Sequence, residues 1–398
     1  MKILVLNSGS SSIKFRLMES DTGGVLAKGL IERIGEETGR MKYRLGTDGE
    51  VVREEPIGDH RKGLSMVLET LTDSRVGALK SLDEIEAIGH RVVHGGEKFS
   101  DSVMIDEDVI AGIEECSPMA PLHNPHNLEG IRAAMKNLPG VPNVAVFDTA
   151  FHQTMPPVAY VYPLPWDYYE EKRMRRYGFH GPSHQYVSAR AAEMMGRPLE
   201  ELCVITCHLG NGCSLTAVKN GRSIDTSLGY GTMCGVMMGT RSGDVDPAII
   251  VELAKRHGMS PDDINRVIYK ESGLLGISGV SRDMRDVEEA AEEGNSRAAL
   301  ALDLFADKVR KYIGGYAVTM GGLDAIVFTA GVGENGPEIR EKICSGLEVL
   351  GASIDPQKNL VRGREEDITG TGSRVRVLVI PTNEELMIAR ETARLVGS

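Results

Sequence analysis

Over 398 residues the chain carries 57 acidic and 45 basic side chains, a formal net charge of −12 with the two signs interspersed, and so lacks the basic face of a nucleic-acid binder. A hydrophobic content of 41% allows a large core, and the length predicts two domains rather than one. No stretch reaches the ~18 apolar residues that span a bilayer, and six scattered cysteines without a CxxC pair predict a reducing, cytoplasmic setting and no disulfide framework.

Ile3 to Leu6 form a continuous apolar run, which suits a strand buried on both faces. The run is too short for a signal peptide, and polar residues follow it at once. Asn7–Ser12 reads as a turn. Beyond it, Ile13, Phe15 and Leu17 alternate with Lys14 and Arg16, the period of a second strand. Ser10, Ser12 and Lys14 share one parity, so two hydroxyls and an ammonium can stand beside the free N–H groups of the turn. Such a nest suits a phosphate. A P-loop and a dinucleotide fingerprint both fail here, because the spacing differs and no helix follows.

Residues 25–34 and 40–56 read as further strands, the second mostly polar and at an edge. Helix spacing of Leu64, Val67, Leu68 and Leu71 predicts a helix over 60–72. Residues 86–99 are a strand and a Gly-Gly turn. Helices follow from about Asp106 to Pro118 and over 125–140, then a buried strand at 142–148 ending in Asp148. An irregular segment rich in Pro and Tyr runs to about 175, and the domain boundary is placed there: 1–149, then 150–382, with 383–398 packing back on the first.

The second half repeats the opening. CVITCHL (203–209) is strand, Gly210-Asn211-Gly212 is turn, and 214–218 is strand; a hairpin turn at Asn220-Gly221 leads to RSIDT. The repetition predicts an internal duplication within an α/β chain. Helices are expected at 246–257, 261–271 and 284–322, the last broken near Gly294. Residues 324–351 read as strand, Gly-rich loop at Ala330–Asn335, and helix with Pro337 in its first turn. A last strand breaks at Pro381 before a terminal helix.

Three Gly-rich turns after buried strands, Asn7–Ser12, His208–Gly212 and Ala330–Asn335, are what a nucleotide needs, although each alone is as readily a surface turn. Arg91 and Arg241, in loops flanked by glycines, suit an anion clamp. Asp148 ends a buried strand, where a carboxylate caps a turn or serves a metal or acid/base role. Glu384 and Glu385 open a helix, a position the helix dipole favours in any case. His180 and His184 have zinc-pair spacing, but Gly181 and Pro182 between them speak against an early helix start and no HExxH is present. Magnesium, with its preference for oxygen and phosphate ligands, fits better.

NSGSSSIK (7–14), GHRVVHGGE (89–97), FDTAFHQTMP (147–156), RRYGFHGPSH (175–184), HLGNGCS (208–214), GTRSGDVDP (239–247), SRDMRD (281–286), FTAGVGEN (328–335) and PTNEELMIAR (381–390) resemble, in this order, the acetate kinase family. The resemblance implies the sugar kinase/Hsp70/actin architecture: two duplicated RNase H-like α/β domains with an interdomain cleft that closes on its substrates. It implies reversible phosphoryl transfer from ATP to acetate, giving ADP and acetyl phosphate, with magnesium, or manganese in its place, as the cofactor. It further implies a homodimer in the cytoplasm, bound to neither membrane nor nucleic acid.

Roles carry over by position. Asn7 and Glu384 match the metal-site residues, and Lys14, with Ser10 and Ser12 beside it, the contact to the phosphates of ATP. Arg91 matches the holder of the acetate carboxylate; Val93, Leu122 and Phe179 match the pocket for its methyl group, with His123 nearby. Asp148 matches a proton donor/acceptor, but acetate is already ionised at neutral pH, so orienting the site is the role expected of it. His180 and Arg241 match the groups that stabilise the phosphoryl in flight. His208, Leu209, Gly210, Asn211 and Gly212 match the phosphate-binding turn. Asp283, Met284 and Arg285, with Gly331, Val332, Gly333, Glu334 and Asn335, match the adenosine contacts.

The sequence departs from the family pattern in DTSLGYGTMCGVMMGTR (225–241), where Thr232 replaces a usual proline and Cys234 a usual glutamate, and at Pro182. The altered 229–236 loop leaves the acyl chain open, with a propionate or other short-chain acyl kinase as the alternative. A non-catalytic ATP-binding sensor is the alternative from another class.

Overall fold

The computed structural model describes residues 1–46 and 49–397. It separates into two compact units, Met1–Gln153 with Asn383–Ser398, and Thr154–Thr382. Residues 47 and 48, inside the predicted 40–56 strand, lie outside the described residues.

In chain order the first unit contains β1 (Lys2–Gly9), β2 (Ser12–Glu19), β3 (Val25–Glu32), β4 (Gly39–Leu45), β5 (Glu50–Glu55), α1 (His60–Leu71), β6 (Ala87–Val92), β7 (Val103–Met104), α2 (Glu107–Glu115), α3 (Asn124–Asn137) and β8 (Asn143–Phe147). The second contains α4 (Pro157–Tyr160), α5 (Trp166–Glu170), α6 (Gly181–Met195), β9 (Cys203–Leu209), β10 (Cys213–Lys219), β11 (Arg222–Thr226), α7 (Pro247–Lys255), α8 (Pro261–Lys270), α9 (Gly273–Ser278), α10 (Met284–Glu292), α11 (Ser296–Met320), β12 (Ala325–Thr329), α12 (Ala330–Asn335), α13 (Pro337–Cys344), β13 (Glu366–Asp367) and β14 (Arg376–Val379). The chain then returns to the first unit with α14 (Glu384–Val396).

Among the described residues the first sheet runs β5-β4-β3-β2-β1-β6-β8-β7, and the second β11-β10-β9-β12-β14-β13. The cores β3-β2-β1-β6-β8 and β11-β10-β9-β12-β14 are the same topology. In each, two antiparallel pairings lead to a central strand that then pairs in parallel with two later strands. The duplicated α/β architecture is thus written in the pairing, although the residues at equivalent places differ.

Register decides what each face of the first sheet carries. Asn7 pairs with Lys14 and Gly9 with Ser12, so Asn7, Ser12, Lys14 and Arg16 share a face. In the parallel neighbours Val5 pairs with Gly89 and Arg91 with Val146, which brings Arg91 to that same face. The opposite face carries Leu4, Leu6, Ile13, Phe15 and Leu17, which join Leu64, Val67 and Leu68 of α1 in one core. The polar face receives α14, packed on β6 and β1. Gly89 permits that approach: a Cβ there would stand 2.5 Å from Oγ1 of Thr392 and 2.7 Å from Cγ2 of Ile388.

Four sequence expectations need correction. The turn read at Asn7–Ser12 is only Ser10 and Ser11, because β1 and β2 pair as far as Gly9 and Ser12. The single strand read at 40–56 is two antiparallel strands, β4 and β5. The Gly-rich loop at Ala330–Asn335 is the short helix α12; Ala330, at φ +63, turns the chain sharply out of β12 and into it. The segment after His180 does open a helix. Gly181 begins α6, and Pro182 sits in the first turn, where its missing N–H costs nothing.

Candidate active site

The polar face of the first unit gathers Asn7, Ser12, Lys14, Arg91, Asp148 and Glu384 of the predicted residues. Asp148, 2% exposed at the end of β8, accepts two hydrogen bonds from Arg91: Nε to Oδ1 at 2.8 Å and Nη2 to Oδ2 at 2.7 Å. This planar fork is the arrangement only arginine can make. Arg91 Nη1 lies 4.0 Å from Oε2 of Glu384. Burial opposes the guanidinium charge, but Asp148 and Glu384 outweigh it and hold Arg91 above its ordinary range. Glu384 opens α14 and is pushed up by burial; Arg91 opposes that shift, while Asp148 and Glu385 add to it.

Lys14 is not an open cation. Its Nζ lies 2.5 Å from Oε1 of Glu385, and Arg16 Nε lies 3.6 Å from the same oxygen. Burial works against the Glu385 carboxylate, and the two cations outweigh it, holding its carboxyl below the usual range. Beneath the hairpin turn, His60 Nε2 lies 2.7 Å from the Gly9 carbonyl, and Asn127 Nδ2 donates to the Ser8 carbonyl at 2.8 Å. Asn127 also accepts from the Val93 N–H at 3.1 Å, tying the hairpin to the end of β6. Val93 is buried, Leu122 is 74% exposed, and His123 stands just before α3 without a side-chain capping bond.

Asn7, Glu384 and the neighbouring Asp148 offer oxygen donors only, the chemistry magnesium takes. The carboxyl of Glu384, raised by burial and by two further acids, is one that a cation would favour in its charged form. Among the described residues no group of three His, Cys, Asp or Glu side chains is set to hold a metal, so such an ion would rest largely on phosphate and water oxygens. The donor set therefore fits magnesium.

In the second unit His180 precedes α6 with φ +58, a left-handed conformation that sets its ring over β9. The ring stacks on His208 with centroids 4.1 Å apart. Ser214 joins the histidines: its Oγ lies 2.8 Å from Nδ1 of His180 and 2.7 Å from Nε2 of His184. His184 Nδ1 lies 2.7 Å from Oγ1 of Thr206, and His208 Nδ1 lies 2.8 Å from Oγ of Ser183. Two strands and one helix thus fix three imidazoles through hydroxyl groups, without a carboxylate in any of these contacts. Phe179, beside His180, is 2% exposed.

Arg241 meets the Gly210–Gly212 turn. A Cβ on Gly212 would meet both Nη atoms at 3.5 Å, ordinary van der Waals contact, so the guanidinium packs directly against the turn. Nη1 donates to the Thr232 carbonyl at 2.7 Å. Burial pulls the guanidinium below its ordinary value, and among the described residues it has no carboxylate partner, a state that favours an incoming anion. Its loop is braced by Asp244, whose Oδ1 accepts from the Gly235 N–H at 2.8 Å and whose Oδ2 accepts from Tyr312 at 2.5 Å. Cys234, in the altered part of this loop, is half-buried, and burial raises its thiol.

A cavity of about 560 Å³ lies between α10 and α12, lined by Gly210, Asn211, Asp283, Met284, Arg285, Gly331, Val332 and Asn335 of the predicted set. Asp283 caps α10 and pairs with Arg285 at 2.6 Å. Leu209, Gly333 and Glu334 do not line it. Leu209 is fully buried, Gly333 packs against Phe328, and Glu334 accepts from the Thr382 N–H at 2.9 Å. The lining adds Arg282, which stands inside the SRDMRD motif, and Glu288 and Arg362, which no motif marks. Ser214, Thr206, Asn127 and His60 also escape sequence reasoning, and so does the pairing of Glu385 with Lys14. Of these, only Ser214 and Glu385 carry a signal, by standing inside or beside a quoted motif.

The family model described as the acetokinase family matches residues 2–390. The chain belongs to the acetokinase family. A protein named acetate kinase from Caldanaerobacter subterraneus subsp. tengcongensis is 56% identical over 397 residues, covering 100% of this chain and 99% of that one. The crystal structure of Porphyromonas gingivalis acetate kinase superposes with a TM-score of 0.96 at 48% identity, over 99% of each chain. That of a propionate kinase from Francisella tularensis gives 0.92 at 44% identity, again over 99% of each. Membership of the acetokinase family thus extends over both units.

Proposed function

We propose that this protein is an acetate kinase, transferring the γ-phosphoryl group of ATP to a carboxylate oxygen of acetate to give acetyl phosphate and ADP. The observation that carries the reading is the family match over nearly the whole chain. The residue roles are carried over from the family by motif position, and the geometry of each unit is compatible with them.

In this reaction the acceptor needs no activation by a base, because acetate is ionised near neutrality. The barrier lies in bringing an anion to an anionic phosphoryl group, so positioning and charge neutralisation do most of the catalysis. Arg91 holds the acid's carboxylate. Asp148, with both oxygens accepting from Arg91, fixes the direction of that fork and has no proton to move. Val93 and Phe179 supply apolar wall for the methyl group. Arg241 and His180 stabilise the charge on the equatorial oxygens of the phosphoryl in flight. Ser214, bonded to His180 at 2.8 Å, keeps the imidazole aimed.

The glycines of the Gly210–Gly212 turn and the hairpin at Ser10 and Ser12 hold phosphates. Lys14 takes part once an ATP phosphate competes with Glu385 for its ammonium. The cavity between α10 and α12 takes the nucleoside. Asn7 and Glu384 would hold magnesium, which supplies charge neutralisation and orientation for the phosphates when bound. Cytoplasmic location and a homodimer belong to the same proposal.

Steady-state kinetics with ATP and Mg²⁺ across acetate, propionate and butyrate test it. The expected result is acetyl phosphate formation with the highest kcat/KM for acetate. The changed residues Thr232 and Cys234 alter a pocket-side loop, and a methylene in such a pocket changes kcat/KM by about 10–200-fold. A maximum at propionate would replace acetate as the substrate, and background rates with all three acids in folded protein would contradict the reaction itself.

A further inference from the structure

The cavity between α10 and α12 has two distinguishable ends. At one, Gly210 approaches the start of α12, where a Cβ would stand 3.6 Å from that of Ala330 and 4.0 Å from the Gly331 nitrogen. At the other, Arg362 donates to the carbonyl of Asn335, the last residue of α12, and to Oε1 of Glu338 at 3.0 Å. With phosphates at the glycine turn, the far end is where a nucleotide's base arrives. Glu288 belongs to that end, since the charges that act on it most are Glu338 and Arg362. It stands one helical turn after Met284 on α10, so the two share a face, and both line the cavity. Its Oε1 is buried and, among the described residues, has no hydrogen-bond partner. A buried acceptor left in that state is costly, and a ligand that brings a partner relieves it.

We propose that Glu288 is a specificity-determining residue of this cavity, its carboxyl group hydrogen-bonding the edge of the nucleotide base. The proposal rests on the reading of the cavity as the nucleoside site.

The protonation state of the carboxyl sets which base it matches. Burial, with Glu338 adding like charge and Arg362 opposing, pushes the Glu288 carboxyl up to about 7. Glu292 and Asp283 on its own helix act in the same direction as Glu338, and Arg282 and Arg285 are the cations on that side of the cavity. A neutral carboxyl presents one acceptor beside one donor. That pair matches the amino group of adenine and the ring nitrogen next to it, the pattern an amide side chain also reads. An ionised carboxyl only accepts, and so matches the adjacent N–H donors of guanine. Preference for adenine is therefore strongest below neutrality and weakens as pH rises.

Equilibrium binding of ADP and GDP to the full chain, at about pH 6 and about pH 8 on either side of an ordinary neutral point, tests this. For the unaltered protein the ADP-over-GDP ratio should fall roughly tenfold between the two conditions, the effect of exchanging one good base pairing for another. Glu288→Gln should keep the low-pH ratio at both, and Glu288→Ala should lose most of the discrimination at both. An unaltered protein whose ratio ignores pH, or a Glu288→Ala variant with the original ratio, overturns the proposal while leaving the nucleoside site intact. Failure of the unaltered protein to bind either nucleotide overturns both.

Discussion

Two buried histidines give the clearest consequence at the scale of single residues. His90, 2% exposed on β6, has its Nε2 2.8 Å from Oδ1 of Asn143, and His94 Nδ1 accepts from the Gly96 N–H at 3.0 Å. Burial lowers both to about 4, from the ordinary value of about 6.5. The folded protein therefore keeps them neutral where the unfolded chain would protonate them. Their contribution is complete above about pH 6.5 and is lost as pH falls toward 4, at about 1.4 kcal/mol per pH unit for each histidine. Urea unfolding between neutral and mildly acidic pH should show this slope, and His90→Gln should remove roughly half of it. A slope unchanged by His90→Gln would show that other groups carry the acid sensitivity. The same scale explains what the sequence left hidden in the site. Arg91, Asp148, His180 and Arg241 stand in quoted motifs. Ser214, which bonds His180, Thr206, which bonds His184, and Asn127, which ties Ser8 to Val93, are ordinary polar residues whose value comes only from pairing across strands and helices. Lys14 was legible as a cation but not as the partner of Glu385, because 371 positions separate them.

Periodicity made most of the elements legible. Continuous apolar runs marked β1 and β9, alternation marked β2, and apolar spacing marked α1 and α3. Failures fell where pattern carries little information. The six residues of α12 include two glycines and span less than two turns, too short for a period to register. The mostly polar β4 and β5 offered no apolar run whose interruption would mark the hairpin. Register was also invisible in the sequence, yet it alone brings Asn7, Lys14 and Arg91 to one face. α14 completes that face and depends on a close approach over Gly89. Gly89→Val should place branched carbons inside Thr392 and Ile388, destabilise the first unit by about 1–3 kcal/mol, and raise hydrogen exchange in α14 more than in α1. Equal exchange in α14 before and after the change would contradict the role given to this contact.

At the scale of the whole molecule, one α/β topology is used twice with different polar faces. The first sheet presents the Arg91–Asp148 fork beside Glu384; the second presents stacked imidazoles and an arginine closed on a glycine turn. Duplication was legible because strand, small-residue turn and strand recur at Ile3 and Val204. What distinguishes the copies was legible only through motifs, since the chemistry of each face is set by which side chains the register turns outward. Phosphoryl transfer falls to both sets of groups, with Arg241 a half-buried cation that has no acid partner among the described residues. Formation of acetyl phosphate from ATP, Mg²⁺ and acetate, measured side by side for the unaltered protein and Arg241→Ala, tests that assignment most directly. The account predicts sustained turnover by the unaltered protein and a fall in kcat on the order of a thousandfold in the variant, with ADP binding retained. Background turnover by folded, unaltered protein, or undiminished kcat in Arg241→Ala, would contradict it.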